Sequence, residues 1–188
     1  MDLFSLQQQL SAGMKGTPED SESNSPPVDR WNPAFCGDMN LVIKRSGQWW
    51  HEGTPFTRAP LVKLFASVIK KEDEKYFLVT PVEKIGITVE DVPFVIIDHS
   101  EQDNVIHVTT SVGERFTINQ DHPVELREFD GHPVPYCKVR RNLWARVHQN
   151  VLYRWVEQAQ QIQHNGKLSL YLQSGDYRFS IGSIDAAE

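Results

Sequence analysis

Residues 135–159 have the sequence PYCKVRRNLWARVHQNVLYRWVEQA, which is typical of a β-hairpin followed by a helix. Strand-like residues fill positions 136–140 and 143–147, and Arg141-Asn142 can form the turn between them. Apolar side chains at spacings of three and four residues then predict one buried helical face: Leu152, Trp155, Val156 and Ala159. We expect Asn150 to cap this helix and Gly166 to end it.

A second copy of this pattern lies upstream. Residues 39–45 and 48–52 are strand-like and flank a Ser-Gly turn at positions 46–47. A helix follows, with its apolar side chains on one face: Leu61, Leu64, Phe65 and Val68. We expect Thr57 to cap this helix and the lysines at 70–71 to lie near its C-terminus, where cations suit the helix dipole.

The two copies repeat at a nearly constant offset. Each helical position of the first copy lies 91 residues before its counterpart, as 152 − 61 and 155 − 64 show, and the same offset pairs Phe77 with Leu168. The hairpins match at an offset of 95, which pairs Trp49 with Trp144. The sequence therefore predicts an α+β fold of two similar hairpin–helix–strand units with mostly antiparallel sheet.

The composition divides the chain into four segments. Leucine and phenylalanine spacing predicts either a short amphipathic helix or a tail over residues 1–13. Residues 14–30 are rich in Gly, Ser, Pro and acid, which predicts a flexible linker. The N-terminal unit then covers residues 31–95 and the C-terminal unit residues 96–188, both with further strand-like segments between turn residues.

The charge balance and the apolar content exclude several classes of partner. The 188 residues include 19 Lys+Arg and 25 Asp+Glu, a net charge of −6, so we expect no DNA or RNA partner. No apolar run is long enough to cross a membrane and no signal-peptide pattern is present, so we expect no membrane association. The two cysteines, Cys36 and Cys137, are typical of reduced thiols in the cytoplasm.

No catalytic or metal-binding signature stands out in the chain. The seven histidines are scattered and no Cys-x-x-Cys pair exists, so we predict no metal site. No Gly-x-Ser-x-Gly elbow and no phosphate-binding glycine loop are present. We therefore predict no enzymatic activity and no cofactor, and a nucleotide hydrolase is the weakest of the hypotheses that we consider.

The most informative charge pattern is a basic run. Residues 131–156 contain no acidic residue and five basic ones: Lys138, Arg140, Arg141, Arg146 and Arg154. Strand alternation places Lys138 and Arg140 on one face, and Arg146 opposite the apolar residues of its own strand. The run is either a solvated sheet face or a site for an anion, because arginine side chains match phosphate oxygens.

Two tryptophans and the loop at residues 80–84 can each be interpreted either as ordinary structural features or as parts of a ligand site. Trp50 and Trp144 occupy nearly matching positions of the two units and are either ordinary packing residues or stacking surfaces for a base. The segment 80–84 is either an edge turn or a loop whose Glu83 and Lys84 face a groove between the units. Grooves between similar units are common ligand sites.

Several segments resemble the proteobacterial domain-of-unknown-function family numbered 1285. The resemblance covers residues 28–182 and is carried by WNPAFCGD at 31–38, GQWWHEGTP at 47–55, YFLVTPVEK at 76–84 and PYCKVR at 135–140. It implies a duplicated α+β core whose second half is similar to a pleckstrin-homology barrel capped by a helix. It also implies a ligand site between the units, for a nucleotide-type molecule, and a role in signal transduction.

The leading hypothesis is a cytoplasmic, non-enzymatic binding or regulatory protein with an anionic, nucleotide-like ligand between its two units. The residues that we expect to contact this ligand are Trp50, Arg58, Glu83, Lys84, Arg140, Trp144 and Arg146. The alternative is a protein–protein interaction module without a small-molecule ligand. In that case a strand edge or the helix that contains Trp155 would meet the partner, and the basic face would meet an acidic one.

Overall fold

The computed structural model describes residues 3–13, 26–164 and 167–185. The chain divides into two compact units, Met1–Asp91 and Val92–Glu188. Each unit contains a hairpin, a helix and three antiparallel strands in that order, so the predicted duplication of a hairpin–helix–strand unit in a mainly β α+β fold is confirmed.

The first unit is built on a six-stranded mixed sheet. Its strands and helices are α1 (Leu3–Gly13), β1 (Phe35–Ile43), β2 (Trp49–His51), β3 (Thr54–Pro55), α2 (Ala59–Ser67), β4 (Ile69–Glu72), β5 (Lys75–Val79) and β6 (Lys84–Val89). The strand order is β3-β2-β1-β6-β5-β4, and only β1 and β6 are parallel neighbours. Leu6 and Leu10 of α1, Phe65 of α2 and Leu41 and Leu78 of the sheet are buried in its core.

The segment between α1 and β1 is described only in part. A short 3₁₀ turn at Val28–Arg30 precedes β1, and the Val28 side chain is fully buried. Val28–Arg30 therefore belongs to the folded unit, whereas the sequence placed it in a flexible linker. The rest of that predicted linker, residues 14–25, lies outside the described residues.

The helix α2 begins later and ends earlier than the sequence predicted. Its N-cap residue is Arg58 and not Thr57, with Pro60 in the first turn, where a missing N–H costs nothing. Lys70 and Lys71 do not end the helix, because both lie in β4, where they are paired with Phe77 and Tyr76 of β5. The cation–dipole interaction expected for these lysines is therefore absent from α2.

The second unit contains a six-stranded mixed sheet and a three-stranded sheet. Its elements are β7 (Phe94–Gln102), β8 (Val105–Thr110), β9 (Arg115–Thr117), β10 (Val124–Phe129), β11 (His132–Arg140), β12 (Leu143–Val147), α3 (Gln149–Gln158), β13 (Gln160–His164), β14 (Lys167–Ser174) and β15 (Tyr177–Asp185). The six-stranded order is β10-β11-β12-β7-β8-β9, with β12 and β7 parallel, and the smaller sheet has the order β13-β14-β15.

The two sheets of the second unit enclose one core, as expected for a barrel capped by a helix. β15 contacts β10 and β11, β14 contacts β8, and α3 packs against β7, β14 and β15. Strand alternation buries Leu143, Ala145 and Val147 on the inner face of β12. Phe94 and Phe179 contribute further apolar surface to the same core.

The ends of α3 differ from the sequence prediction. His148 is the N-cap residue, and its Nδ1 accepts a hydrogen bond from the Asn150 N–H at 3.2 Å. The helix ends at Gln158 and not at Gly166, because Ala159 is extended and Gln160–His164 forms β13. The predicted apolar face of α3 is confirmed only in part, because Trp155 is buried but Leu152 is half-buried and Val156 is exposed. Contact of this helix with a partner, the alternative hypothesis, stays a prediction.

The two thiols have opposite environments. Both cysteines are free, with Cys36 exposed and Cys137 buried within β11. Burial raises the pKa of the Cys137 thiol far above its ordinary value, because the apolar interior disfavours the thiolate. None of the helices in the described segments is long and apolar enough to cross a membrane.

Candidate functional site

One face of the β10–β11–β12 hairpins collects cations and aromatic rings. In these antiparallel strands Tyr136 lies opposite Arg146, and Lys138 lies opposite Trp144. These side chains lie on the face opposite the buried Leu143, Ala145 and Val147. β10 adds Arg127 and Phe129 to the same face. We call this side of the strands the arginine–aromatic face, defined by Arg127, Phe129, Tyr136, Lys138, Trp144 and Arg146, of which Tyr136 is buried.

Two guanidinium groups are stacked on aromatic rings of this face. The Arg127 Cζ lies 3.9 Å from the ring centre of Trp144 and 5.3 Å from that of Tyr136. The Arg146 Cζ lies 4.0 Å from the ring centre of Phe129. Stacking of this kind is favourable electrostatically and holds the guanidinium plane against the ring. It therefore pre-orients the N–H donors that lie around the edge of each guanidinium group.

One carboxylate accompanies the three cations of the face. Glu125 Oε2 accepts hydrogen bonds from Arg127 Nη2 at 3.0 Å and from Arg127 Nε at 3.3 Å. Lys138 and Arg146 supply the other positive charges, so among the described strand positions of this face cations outnumber carboxylates three to one. In a chain of net charge −6, this is a local surplus of positive charge. Such a surplus favours anions as binding partners.

Arg140 does not belong to this face. The β11–β12 register shifts between Lys138 and Arg140, so that Arg140 lies opposite Leu143. Its guanidinium forms an ion pair with Glu114 and lies 5.1 Å from the Phe94 ring centre. Strand alternation predicted Lys138 and Arg140 on one face, and this is wrong because a bulge adds one residue to β11 between them.

The other predicted contact residues lie in the first unit. Arg58 is exposed at the start of α2, and Lys44 Nζ lies 5.7 Å from the Trp50 ring centre. Lys84 Nζ lies 2.8 Å from Glu72 Oε2, and this hydrogen bond is the main reason why the pKa of the Glu72 carboxyl is lowered. A site shared by the two units stays a prediction.

Glu83 precedes Lys84 in a tight turn. The Thr80 hydroxyl accepts hydrogen bonds from the N–H groups of Val82 and Glu83, at 3.3 and 3.0 Å. The Glu83 Oε2 is buried and has no hydrogen-bond partner among the described residues. The turn thus positions an acid whose role in ligand contact stays a prediction.

Arg127 is the residue that sequence reasoning missed. The basic run without acidic residues begins at residue 131, after Asp130, so it does not include the strand that precedes the Asp130-Gly131 turn. Alternation within Val124–Phe129 puts Arg127 and Phe129 on one face, and the turn folds that strand onto β11. The signal in the sequence is therefore the shared strand face of Arg127 and Phe129 with the basic residues of β11 and β12.

The described residues show no obvious catalytic centre. The Thr117 hydroxyl lies 3.0 Å from His107 Nδ1, but the two residues are direct cross-strand partners of β8 and β9. A pair of this kind is an ordinary sheet contact. Within the described segments, no three His, Cys, Asp or Glu side chains are placed to hold a metal ion.

The fold and this face define a duplicated two-unit α+β protein with a barrel-like second unit. The chain belongs to the DUF1285 family. Residues 26–92 match the model described as "Domain of unknown function (DUF1285), N-terminal domain", and residues 93–181 match "Protein of unknown function (DUF1285), C-terminal domain".

Two solved structures are similar to this chain. A DUF1285 family protein from Silicibacter pomeroyi DSS-3 is 34% identical, with a TM-score of 0.76 over 93% of this chain and 95% of that chain. A DUF1285 family protein from Shewanella baltica OS155 is 32% identical, with a TM-score of 0.51 over 62% of this chain and 90% of that one. A comparison with functionally curated proteins gave no match.

Proposed function

We propose that this protein is a non-enzymatic binding or regulatory protein for an anionic, nucleotide-like small molecule. The observation that carries this proposal is the pair of guanidinium groups stacked on Trp144 and Phe129 within one basic face. Arginine edges match the oxygens of phosphate, and stacked guanidinium groups lose little freedom on binding. In this proposal the second unit supplies the phosphate contacts, and ligand binding regulates a signalling process.

The stacking geometry changes the role that the sequence suggested for Trp144. The Arg127 Cζ lies 3.9 Å from the Trp144 ring centre, so the guanidinium already covers this face of the indole. In this proposal a base would therefore contact the guanidinium plane and not the indole. Bases stack on arginine planes as well as on aromatic rings. Arg127 would then hold the base from one side, while Arg146 and Lys138 contact the phosphate groups.

The first test is a thermal-shift screen with purified protein. The panel contains nucleoside mono-, di- and triphosphates, cyclic dinucleotides, pyrophosphate and inorganic phosphate. A ligand at 100 times its Kd stabilises by about 2.7 kcal/mol, which is roughly 5–10 °C for a chain of this size. A panel in which no compound raises the Tm contradicts the proposal.

Variants then locate the site by calorimetric titration with the best compound. Arg127→Gln and Arg146→Gln each remove one charged hydrogen-bond donor group and should weaken binding roughly ten- to a hundredfold. Lys63→Gln, at an exposed position of α2, removes one positive charge elsewhere and should leave the Kd unchanged. If only Arg140→Gln weakens binding, the ligand lies at the sequence-predicted residue and not on the arginine–aromatic face.

A further inference from the structure

β13 is an open edge of the three-stranded sheet. It pairs with β14 in an unbroken antiparallel register, from Gln160 opposite Tyr171 to His164 opposite Lys167. No strand among the described residues lies on its other side. A strand in this position presents backbone N–H and C=O groups on which a further strand can form.

The other edge strands of the described sheets have features that discourage strand addition. β4 carries Lys70 and Lys71, β3 has two residues that include Pro55, and β9 has only three residues. β15, the other edge of the three-stranded sheet, packs against β10 and β11. On β10, the Val124 N–H donates a hydrogen bond to the Tyr177 hydroxyl at 3.1 Å. Edge lysines, prolines and short strands are the usual protection against pairing with another chain.

β13 has none of these features. Its sequence, QQIQH, contains no Lys and no Pro, and its register with β14 has no bulge. Ile162 at its centre is 38% exposed, so an apolar side chain lies at the open edge. The strand therefore combines free pairing capacity with an apolar contact point.

A basic cleft adjoins this edge. The cleft has a volume of about 740 Å³, and its described lining includes Ile162, Lys167, Ser169, Tyr171, Arg178 and Ser180 but no acidic residue. Asp185 of β15 is the register partner of Lys167, so Arg178 is the cation without a carboxylate directly opposite it in the sheet. The Arg178 Cζ lies 4.5 Å from the Tyr171 ring centre, so the guanidinium reaches from β15 back over β14. Its charge is thus one strand away from the open edge.

The register fixes where the two cations lie along β13. Tyr171, beneath Arg178, is the partner of Gln160, whereas Lys167 is the partner of His164. The backbone positions of Tyr171 and Lys167 therefore lie on either side of the level of Ile162, about 13 Å apart along β14 at roughly 3.3 Å per residue. Alternate residues of a strand point to the same face, so alternate residues of one added strand can contact Arg178, Ile162 and Lys167.

We propose that β13 is the docking edge for an extended acidic segment of a partner protein. The segment adds a fourth strand to the sheet and presents the pattern acid-x-apolar-x-acid to the cleft. The apolar residue contacts Ile162, and the two acids face Arg178 and Lys167. This inference is independent of the proposed nucleotide-like ligand, which concerns a different face of the second unit.

The test uses two fluorescein-labelled peptides of equal composition. In Thr-Glu-Thr-Val-Thr-Glu-Thr the acids share a face with the valine, whereas in Thr-Thr-Glu-Val-Glu-Thr-Thr they point to the other face. We expect the first peptide to bind at least tenfold more tightly in fluorescence anisotropy. Equal affinity, or no binding of the first peptide, overturns the proposal.

Two further measurements separate strand addition from simple charge attraction. N-methylation of alternate peptide backbone nitrogens removes hydrogen-bond donors without changing charge, and it should abolish binding. Lys167→Gln and Arg178→Gln should each weaken binding about tenfold, whereas Lys63→Gln, at an exposed position of α2, should not. Full binding of the methylated peptide overturns strand addition.

Hydrogen exchange gives a readout at the edge itself. Bound peptide should slow amide exchange in residues 160–163, and Ile162→Lys should remove both the protection and the binding while the melting curve is retained. Slow exchange there in the free protein, together with a concentration-dependent dimer, would show that a second copy occupies the edge, and it would overturn the peptide proposal.

Discussion

At the scale of single residues, Ser174 connects the two sheets of the second unit. Its hydroxyl donates a hydrogen bond to the Ile118 carbonyl at 2.6 Å and accepts one from the Ile106 N–H at 2.9 Å. Ser174 ends β14, Ile106 lies in β8 and Ile118 follows β9. The side chain is 3% exposed, so water cannot replace it as a partner.

We predict that Ser174→Ala strongly destabilises the protein. The substitution leaves two buried backbone groups without partners, and each costs about 1–3 kcal/mol. The free energy of unfolding, measured in urea, should therefore fall by about 2–4 kcal/mol. Ser183→Ala, at an exposed position of β15, is the matched control and should change it by less than about 0.5 kcal/mol.

Some side-chain positions follow from the sequence and others do not. The outward positions of Trp144 and Arg146 were predictable, because strand alternation is a local rule. Ser174 was not, since its two partners are 68 and 56 residues away. The prediction that Arg140 shares a face with Lys138 was wrong, because nothing in the sequence of residues 138–140 indicates a bulge.

At the scale of elements, α3 contacts the strands through the aromatic ring of Trp155 and through an ion pair of Arg154. The Trp155 ring centre lies 6.1 Å from that of His99 and 5.6 Å from that of Phe179. Arg154 Nη2 lies 2.9 Å from Asp98 Oδ1. The charge of Arg154 thus lies close to a partly buried imidazole.

The environment of His99 makes the docking of α3 sensitive to pH. Burial of the ring is the main cause that lowers its pKa, and the positive charge of Arg154 lowers it further. A hydrogen bond with Gln158 and the charges of Asp98 and Glu101 oppose these effects without cancelling them. The folded protein therefore binds a proton at His99 less readily than the unfolded chain does.

We predict that stability falls as the pH is lowered through the His99 titration. The contribution of the neutral His99 ring to the unfolding free energy is fully present above about pH 6.5, the ordinary pKa that this ring has in the unfolded chain. The contribution is lost as the pH falls through the lower pKa that the ring has in the folded protein. His99→Gln should reduce the slope of the unfolding free energy between about pH 7 and pH 5. An unaltered slope in His99→Gln would contradict this assignment.

The pH dependence of the carboxyl groups falls in a different range. The hydrogen bond from Arg154 is the main cause that lowers the pKa of Asp98, and its stabilising effect is lost only near and below the ordinary carboxyl pKa of about 3.9. The two effects can therefore be separated by the range of pH in which they occur.

Element types were easier to predict than element ends. The two hairpins and both amphipathic helices follow from periods of 2 and 3.6 residues, which are local properties. The end of α3 was not predictable from Gly166, because β13 gains its stability from pairing with β14. The same reason explains why Lys70 and Lys71 lie in β4 and not in α2.

At the scale of the whole molecule, the sequence shows the duplication but does not show that the two copies arrange their strands into sheets differently. In the first unit, the three strands after the helix join the hairpin in one sheet through the parallel pair β1–β6. In the second unit, the corresponding strands form their own sheet, and β12 pairs with β7 instead. Such parallel pairs join distant segments, and apolar periodicity does not specify them.

We predict that residues 92–188 fold without the first unit. Their core is formed by their own side chains, among them Phe94, Trp155 and Phe179, and domains of about 100 residues are commonly independent. The isolated fragment should show a cooperative thermal transition in circular dichroism. A gradual transition, with exposed apolar surface that binds a hydrophobic dye, would show that the unit is not autonomous.

The buried thiol of β11 has a practical consequence. An alkylating reagent needs both access and a thiolate, and Cys137 offers neither while the barrel is closed. Cys36 is exposed, so we expect it to react first and to serve as the internal reference in the same sample. The slow alkylation of Cys137 then measures how often the second unit opens, under native conditions and without any engineered label.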